Sequence, residues 1–327
     1  MSRNGSNPRS GGDKDALLSN VALLYYGEGL TQGEIAKRMQ VSRATIVNML
    51  RESRERGIVD IRVDGRHLSN SSLSRELKEK FALEDVYVSR SVSAAGKRGR
   101  AADLPLLARV AASAVRDIVK PGDRIGVAWG ETIMAVSNVM ASSPVEGAEV
   151  CQLIGSMISE RVPASEFCAI QIANRLDARC FTLHAPGIVS SDELAGMMRQ
   201  EPTIKSQLDR LTSLDVTIAS VGHVGNDTHF QVAGMATLEE IELARQAGAV
   251  GILCCRYLDR DGRQMDLAPS SRLIAAELEQ IRHAPKKLLA VCGRDRAEPT
   301  LAAIRGGLVT HLCVDEALAN ELMTAGD

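Results

Sequence analysis

The chain has 327 residues, 45% of them hydrophobic and 24% charged, with a formal net charge of −2. That length suggests about two domains with enough apolar material for buried cores, and no apolar run reaches the ~18 residues a membrane-crossing helix needs. The seven cysteines show no Cys-x-x-Cys spacing, which argues against a disulfide framework or a zinc ribbon, so no metal or cofactor is expected.

Residues 1–14 form a polar, Gly/Ser-rich tail without the apolar core of a signal peptide, expected to be disordered. A cytoplasmic location follows as an expectation. Asp15–Gly29 (DALLSNVALLYYGEG) reads as an apolar first helix ending near Gly27 and Gly29. Thr31 and Glu34 then make a capping box, so a second helix should start there, with Ile35, Ala36 and Met39 on one face. Gln40-Val41-Ser42 interrupts the period, and Ser42 can cap a third helix running to about Arg56. Ile46, Val47 and Leu50 are expected to point inward, leaving Ser42, Arg43, Ala44, Thr45, Asn48 and Arg51 outward.

This is the layout of a helix-turn-helix, whose second helix enters a major groove of double-stranded operator DNA. Between Lys37 and Arg56 there are six Lys or Arg and two Glu, a local excess of positive charge on a mildly acidic chain. Arg43, Thr45 and Asn48 are expected at base edges, and Lys37, Arg51 and Arg54 at phosphates, with Thr31 at the edge of the same surface. An amphipathic pair with a solvated charged face is the plainer alternative.

Residues 15–64 are therefore assigned to a DNA-binding domain, 65–72 (within DGRHLSNSS) to a linker, and 73–327 to a second domain. In that second domain short apolar runs alternate with helical patterns. The expected strands are Val86–Ser89, Arg124–Trp129, Glu149–Gly155, Arg179–His184, Val216–Val221, Val250–Tyr257, Lys287–Cys292 and His311–Val314. The expected helices are Leu104–Val119, Thr132–Ala141, Ser165–Leu176, Leu238–Ala247, Arg272–Gln280 and Ala297–Arg305. Nearly continuous apolar strands separated by helices imply an α/β fold with a Rossmann-like parallel sheet covered on both faces. Ligands of such sheets bind where strand ends lead into helix starts. Gly130-Glu131-Thr132, Gly155-Ser156, Asp259 and Gly293-Arg294-Asp295-Arg296 all sit at such ends, although a glycine after a strand is more often a plain turn.

The stretch LTQGEIAKRMQVSRATIVNMLRESRERGIVDIRV resembles the DNA-binding end of the SorC family of sugar-responsive bacterial transcriptional regulators. Gly57-Ile58-Val59 and the alternation Val59, Ile61, Val63 match that family's short β wing. Val47 stands where a Ser is common and Asn48 where an Arg is common; Asn suits adenine and Arg guanine. From about residue 72 to 324 the chain resembles the family's second domain. The matching segments are IGVAWGET, QLIGS, LHAPGIV, GAVG with DRDG, and LAAIRGG with VDE.

The resemblance implies a sugar-phosphate-isomerase-like fold, a homo-oligomer (dimer or tetramer) and a sugar, polyol or sugar phosphate as effector. It points to Gly130, Thr132, Gly155, Ser156, Asp259 and Arg296 as contacts, with Glu131, His184 and Arg294 beside them. Glu131 replaces a hydroxyl residue of the family pattern, Ser156 a Gly and Arg296 a Lys. A carboxylate at a helix start disfavours phosphate and favours a neutral polyol, unless Glu131 only caps its helix and points away.

The competing reading is a sugar-phosphate isomerase or deaminase with an accessory DNA-binding domain. It would need a general base, for which Asp192, Glu193, Asp227, His184 and His223 qualify by type alone. No pattern ties any two of them together, so no catalytic residue is assigned.

Overall fold

The computed structural model describes residues 10–59, 71–91, 99–157, 164–225 and 228–325. The chain divides into two compact units, residues 1–63 and 64–327. In the first, α1 (Ser10–Ala22) runs into a single π turn over Leu23–Gly27, followed by α2 (Gln32–Met39) and α3 (Arg43–Glu55). Helix α1 thus begins inside the segment expected to be a disordered tail. Ion pairs of Lys14 with Glu52 (2.7 Å) and of Asp15 with Arg56 tie it to α3.

A small core of Val21, Leu24, Ile35, Ala36, Ile46 and Leu50 joins the three helices. Val47, expected to face that core, is exposed instead. It follows Ile46 by 100° of helical rotation, which carries it off the stripe that Ile46 and Leu50 define. The expected wing falls largely on residues 60–63, outside the described residues.

The second unit opens with α4 (Ser72–Phe81), capped by Ser71 and not anticipated from the sequence. Its main sheet has seven strands: β1 (Asp85–Ser89), β2 (Arg124–Val127), β3 (Glu149–Gln152), β4 (Arg179–Phe181), β5 (Val216–Ala219), β10 (Lys286–Val291) and β11 (His311–Asp315). All pair in parallel, in the order β1-β11-β10-β5-β2-β3-β4. Side chains alternate between two apolar cores, one on each face. On β10, Leu288 and Ala290 enter one core while Leu289 and Val291 enter the other.

Covering and connecting the sheet are α5 (Arg100–Ile118), α6 (Glu131–Val139), α7 (Ser165–Leu176), α8 (Asp192–Gln200), α9 (Pro202–Arg210), α10 (His229–Val232), α11 (Leu238–Gln246), α12 (Leu278–His283), α13 (Ala297–Arg305) and α14 (Glu316–Thr324). Helices α7 and α13 coincide with the expected ranges, whereas α8, α9, α10 and α14 were not anticipated.

Two expectations are corrected. The run Val250–Tyr257 is not one strand but a hairpin, β7 (Gly251–Leu253) and β8 (Arg256–Leu258), turning on Cys254 and Cys255 at φ 48° and 64°. With β6 (Val221–His223) and β9 (Gln264–Met265) it forms a second, antiparallel sheet in the order β6-β7-β8-β9. Two-residue turns with positive φ normally announce themselves with Asn or Gly, and this one does not. The expected helix Arg272–Gln280 is a 3₁₀ turn (Ser270–Arg272), an extended stretch and then α12. In that stretch Leu273 bridges Ile188 and Ala275 bridges Ile154, so backbone pairing overrides local helical preference.

Candidate functional site

In the first unit, α2 begins with the expected capping box. The Thr31 amide donates to Glu34 Oε2 at 2.8 Å and the Glu34 amide to Thr31 Oγ1 at 3.3 Å. Hydrogen bonds from Thr31 hold the Glu34 carboxyl below the usual carboxylate range. Gln40 closes α2 in the left-handed region, and Ser42 starts α3 by accepting from the Thr45 amide at 3.0 Å.

The two helices are therefore three residues apart, and the front of α3 is open. Ser42, Arg43, Ala44, Asn48, Arg51 and Arg54 are exposed, Thr45 is half-buried, and Thr31 and Lys37 of the α2 side are also exposed. Arg43 reaches Gln32 (3.3 Å) and Arg51 reaches Asn48 (3.3 Å), so these side chains brace one another along one surface. That surface combines a basic character with amide and hydroxyl groups able to read base edges.

In the second unit, β2, β5 and β10 are adjacent in the middle of the sheet. From β2 the chain turns toward β3 and β4, and from β5 toward β10 and β11. Their carboxyl ends thus flank the point where strand order reverses, where α/β sheets place their ligands. A cavity of about 260 Å³ lies there.

After β2, Trp129 and Gly130 lead into α6; Gly130 has φ 119° and offers no side-chain cap. After β5 come Ser220 and β6, bringing His223, and Thr228 then starts α10 with His229 and Phe230. After β10, Gly293 turns at φ 103° and leads to Arg296. Buried Asp315 fixes that turn by accepting from the amides of Gly293 and of Leu318 (3.0 Å).

The cavity has a polar side and an apolar side. On the polar side, Arg100 Nη1 pairs with Glu131 Oε2, while Arg100 Nη2 donates to Thr132 Oγ1 at 3.4 Å. His229 Nε2 lies 3.9 Å from the same Glu131 oxygen. The apolar side includes Phe230, Ile252, Cys254 and Cys255. Burial pushes the Cys255 thiol up to about 12, against a smaller downward pull from the Trp129 hydrogen bond. Burial also raises the Cys254 thiol far above its ordinary value. Both thiols are neutral at physiological pH and form wall rather than nucleophiles.

Of the residues proposed from the sequence, Gly130, Glu131, Thr132 and Arg296 line this cavity together. Gly155 and Ser156 do not. Gly155 is packed so closely on the loop at Ala185–Pro186 that a Cβ would sit 2.6 Å from two of its carbonyl oxygens, and Ser156 bridges Pro186. His184 is exposed and shares a 3.3 Å contact with Thr182. Asp259 is a turn-former, accepting from the amides of Asp261 (2.9 Å) and Arg263 (2.8 Å). Arg294 turns outward to Glu321 at 3.0 Å.

Arg100 and the Cys254–Cys255 wall carry no signal of a site in the sequence. Arg100 precedes its cavity partner Glu131 by 31 positions and no local signal links them. Among the candidate general bases that fall in the described residues, only His223 lines the cavity. Asp192 accepts from Ser271 at 2.7 Å, Glu193 sits in the first turn of α8, and Asp227 lies outside the described residues. No group of side chains able to hold a metal occurs among the described residues.

Residues 66–324 match the family model described as "Putative sugar-binding domain". The chain is 33% identical over 313 residues to the "Uncharacterized transcriptional regulator YjhU" of Escherichia coli (strain K12), covering 94% of each protein. It is 27% identical to the "Deoxyribonucleoside regulator" of Bacillus subtilis (strain 168), over 95% of this chain and 98% of that one. Its fold matches the crystal structure of the full-length sorbitol operon regulator SorC from Klebsiella pneumoniae with a TM-score of 0.70 at 24% identity, over 95% of this chain and 99% of the other.

Proposed function

The chain belongs to the SorC family of sugar-binding transcriptional regulators, and we propose that it controls a carbohydrate or polyol catabolism operon by binding operator DNA through α2 and α3. A small sugar, polyol or sugar phosphate in the cavity at the ends of β2, β5 and β10 modulates that binding. Relatives and structural neighbours alike are named transcriptional regulators, so the isomerase or deaminase alternative is set aside.

The observation that carries the reading is the pairing of two features in one chain. One unit presents an exposed, basic, correctly capped α3, and the other encloses a mixed polar and apolar cavity at a strand-order reversal. In this reading residues 15–64 are a winged helix-turn-helix domain, 65–72 a linker and 73–327 the effector domain, and the protein acts in the cytoplasm. Arg43, Thr45 and Asn48 read bases, while Lys37, Arg51 and Arg54 position the helix on phosphates. One such module covers a half-site, which calls for a two-fold dimer or a tetramer built from dimers.

The test is operator binding by fluorescence anisotropy, using DNA upstream of the protein's own gene, with and without a panel of sugars, polyols and their phosphates. Specific binding that one member of the panel alters is the expected result. Equal affinity for operator and unrelated DNA, or a response to none of the panel, contradicts it.

A further inference from the structure

Arg100 and Glu131 come from different helices and meet in the cavity, and the geometry of their pair is unequal. Both Arg100 Nη1 and His229 Nε2 address Glu131 Oε2. No hydrogen bond or ion pair reaches Glu131 Oε1 among the described residues. The guanidinium has a second contact, Nη2 donating to buried Thr132, while the Arg100 backbone carbonyl accepts from the Cys292 thiol at 3.7 Å. Arg100 Nε is buried without a hydrogen-bond partner among the described residues.

We infer that Arg100 is the positioning residue that sets the ligand class of this cavity: it holds Glu131 across the start of α6, so that the cavity accepts neutral vicinal hydroxyls and shuts out phosphate esters. This rests on reading the cavity as the effector site. With Oε2 fixed by Arg100, Oε1 is left to accept from ligand hydroxyls, a task for which a preset carboxylate is well suited. A phosphate would have to displace Glu131 from Arg100, or lie beside it with like charges in contact. Glu131 is thus an internal carboxylate occupying the place an anionic ligand would take. Without it, Arg100 and the bare amides of the α6 start would favour an anion.

This makes a gain-of-binding experiment possible, with inorganic phosphate as the probe and no DNA present. Calorimetric titration of wild type, Glu131→Gln, Glu131→Thr, Arg100→Ala and the double variant Glu131→Thr/Arg100→Ala isolates the pair. Removing the carboxylate by either Glu131 substitution is expected to tighten phosphate binding on the order of ten-fold or more. The gain should vanish in the double variant, and Arg100→Ala alone should bind phosphate no better than wild type. The inference is overturned if wild type binds phosphate as tightly as the Glu131 variants, or if the gain survives loss of Arg100. A failure of the regulator reading would appear elsewhere, as operator binding that no sugar or polyol changes.

Discussion

The two units of this chain are built on opposite principles. The helical unit, residues 1–63, is local. Its core is six small or medium side chains from helices adjacent in sequence, and its two key caps, Thr31 and Ser42, each act within three residues. The effector unit is non-local: β1 pairs with β11, β5 lies between β10 and β2, and the cavity draws on loops after three separated strands. A local unit advertises its function in a short motif, while a non-local one hides its site until the strands are ordered. The same contrast predicts independent stability, since each unit has its own core.

The largest expected effects are substitutions that break one unit and spare the other. Ile46 is fully buried in the small core, so Ile46→Ala should cost about 2–5 kcal/mol, enough to unfold a unit of this size. In the effector unit, Gly262 has φ 74°, and a Cβ there would lie 2.0 Å from the Ala302 carbonyl oxygen. Gly262→Ala should therefore cost at least ~2 kcal/mol through strain and backbone collision combined. In calorimetry each variant should lower one transition and leave the other in place. A joint shift in either variant would mean the units do not melt independently.

Next come the DNA contacts proposed for the open face of α3. Asn48→Ala should reduce discrimination by ~1–3 kcal/mol at one base pair. Lys37→Ala should instead weaken all sequences alike and flatten the salt dependence of binding by about one unit. If Asn48→Ala keeps an unchanged order of preference among operator variants, α3 does not lie in the groove as proposed. Ser42→Ala is smaller again: it removes the cap on the Thr45 amide, worth ~1 kcal/mol, and should lower only the first transition.

What the sequence made legible follows the same division. The start of α2, the Ser42 cap and the outward set on α3 were readable because capping and helical periodicity act over a few residues. Val47 was misjudged because an apolar side chain beside the stripe looks like part of it. In the effector unit the seven parallel strands were readable as apolar runs, and α7 and α13 to the residue.

The Cys254–Cys255 turn was not readable, because neither residue type favours positive φ and only the surrounding hairpin imposes it. Strand-end glycines were equally opaque. Gly130 borders the cavity while Gly155 serves close packing, and both look alike in sequence. Arg100 lay beyond reach because its role exists only once α5 and α6 are packed together.

The smallest expected effect is a difference in pH response between the units. Residues 1–63 contain no histidine, so the first unit has no side chain that ordinarily titrates near neutrality. The effector unit buries His311, whose Nδ1 lies 2.9 Å from Thr310 Oγ1. Burial lowers its folded pKa below the ordinary 6.5, outweighing the opposing pull of Glu84 and Asp85. A histidine depressed by folding binds its proton more readily in the unfolded chain. Stability of this unit should therefore be full above about pH 6.5, fall as pH drops below that value, and level off once the folded imidazole also protonates. His311→Gln should remove this step while the first unit's transition stays flat across the same range. Melting curves of wild type and His311→Gln that run parallel from neutral to mildly acidic pH would rule out His311 as its source.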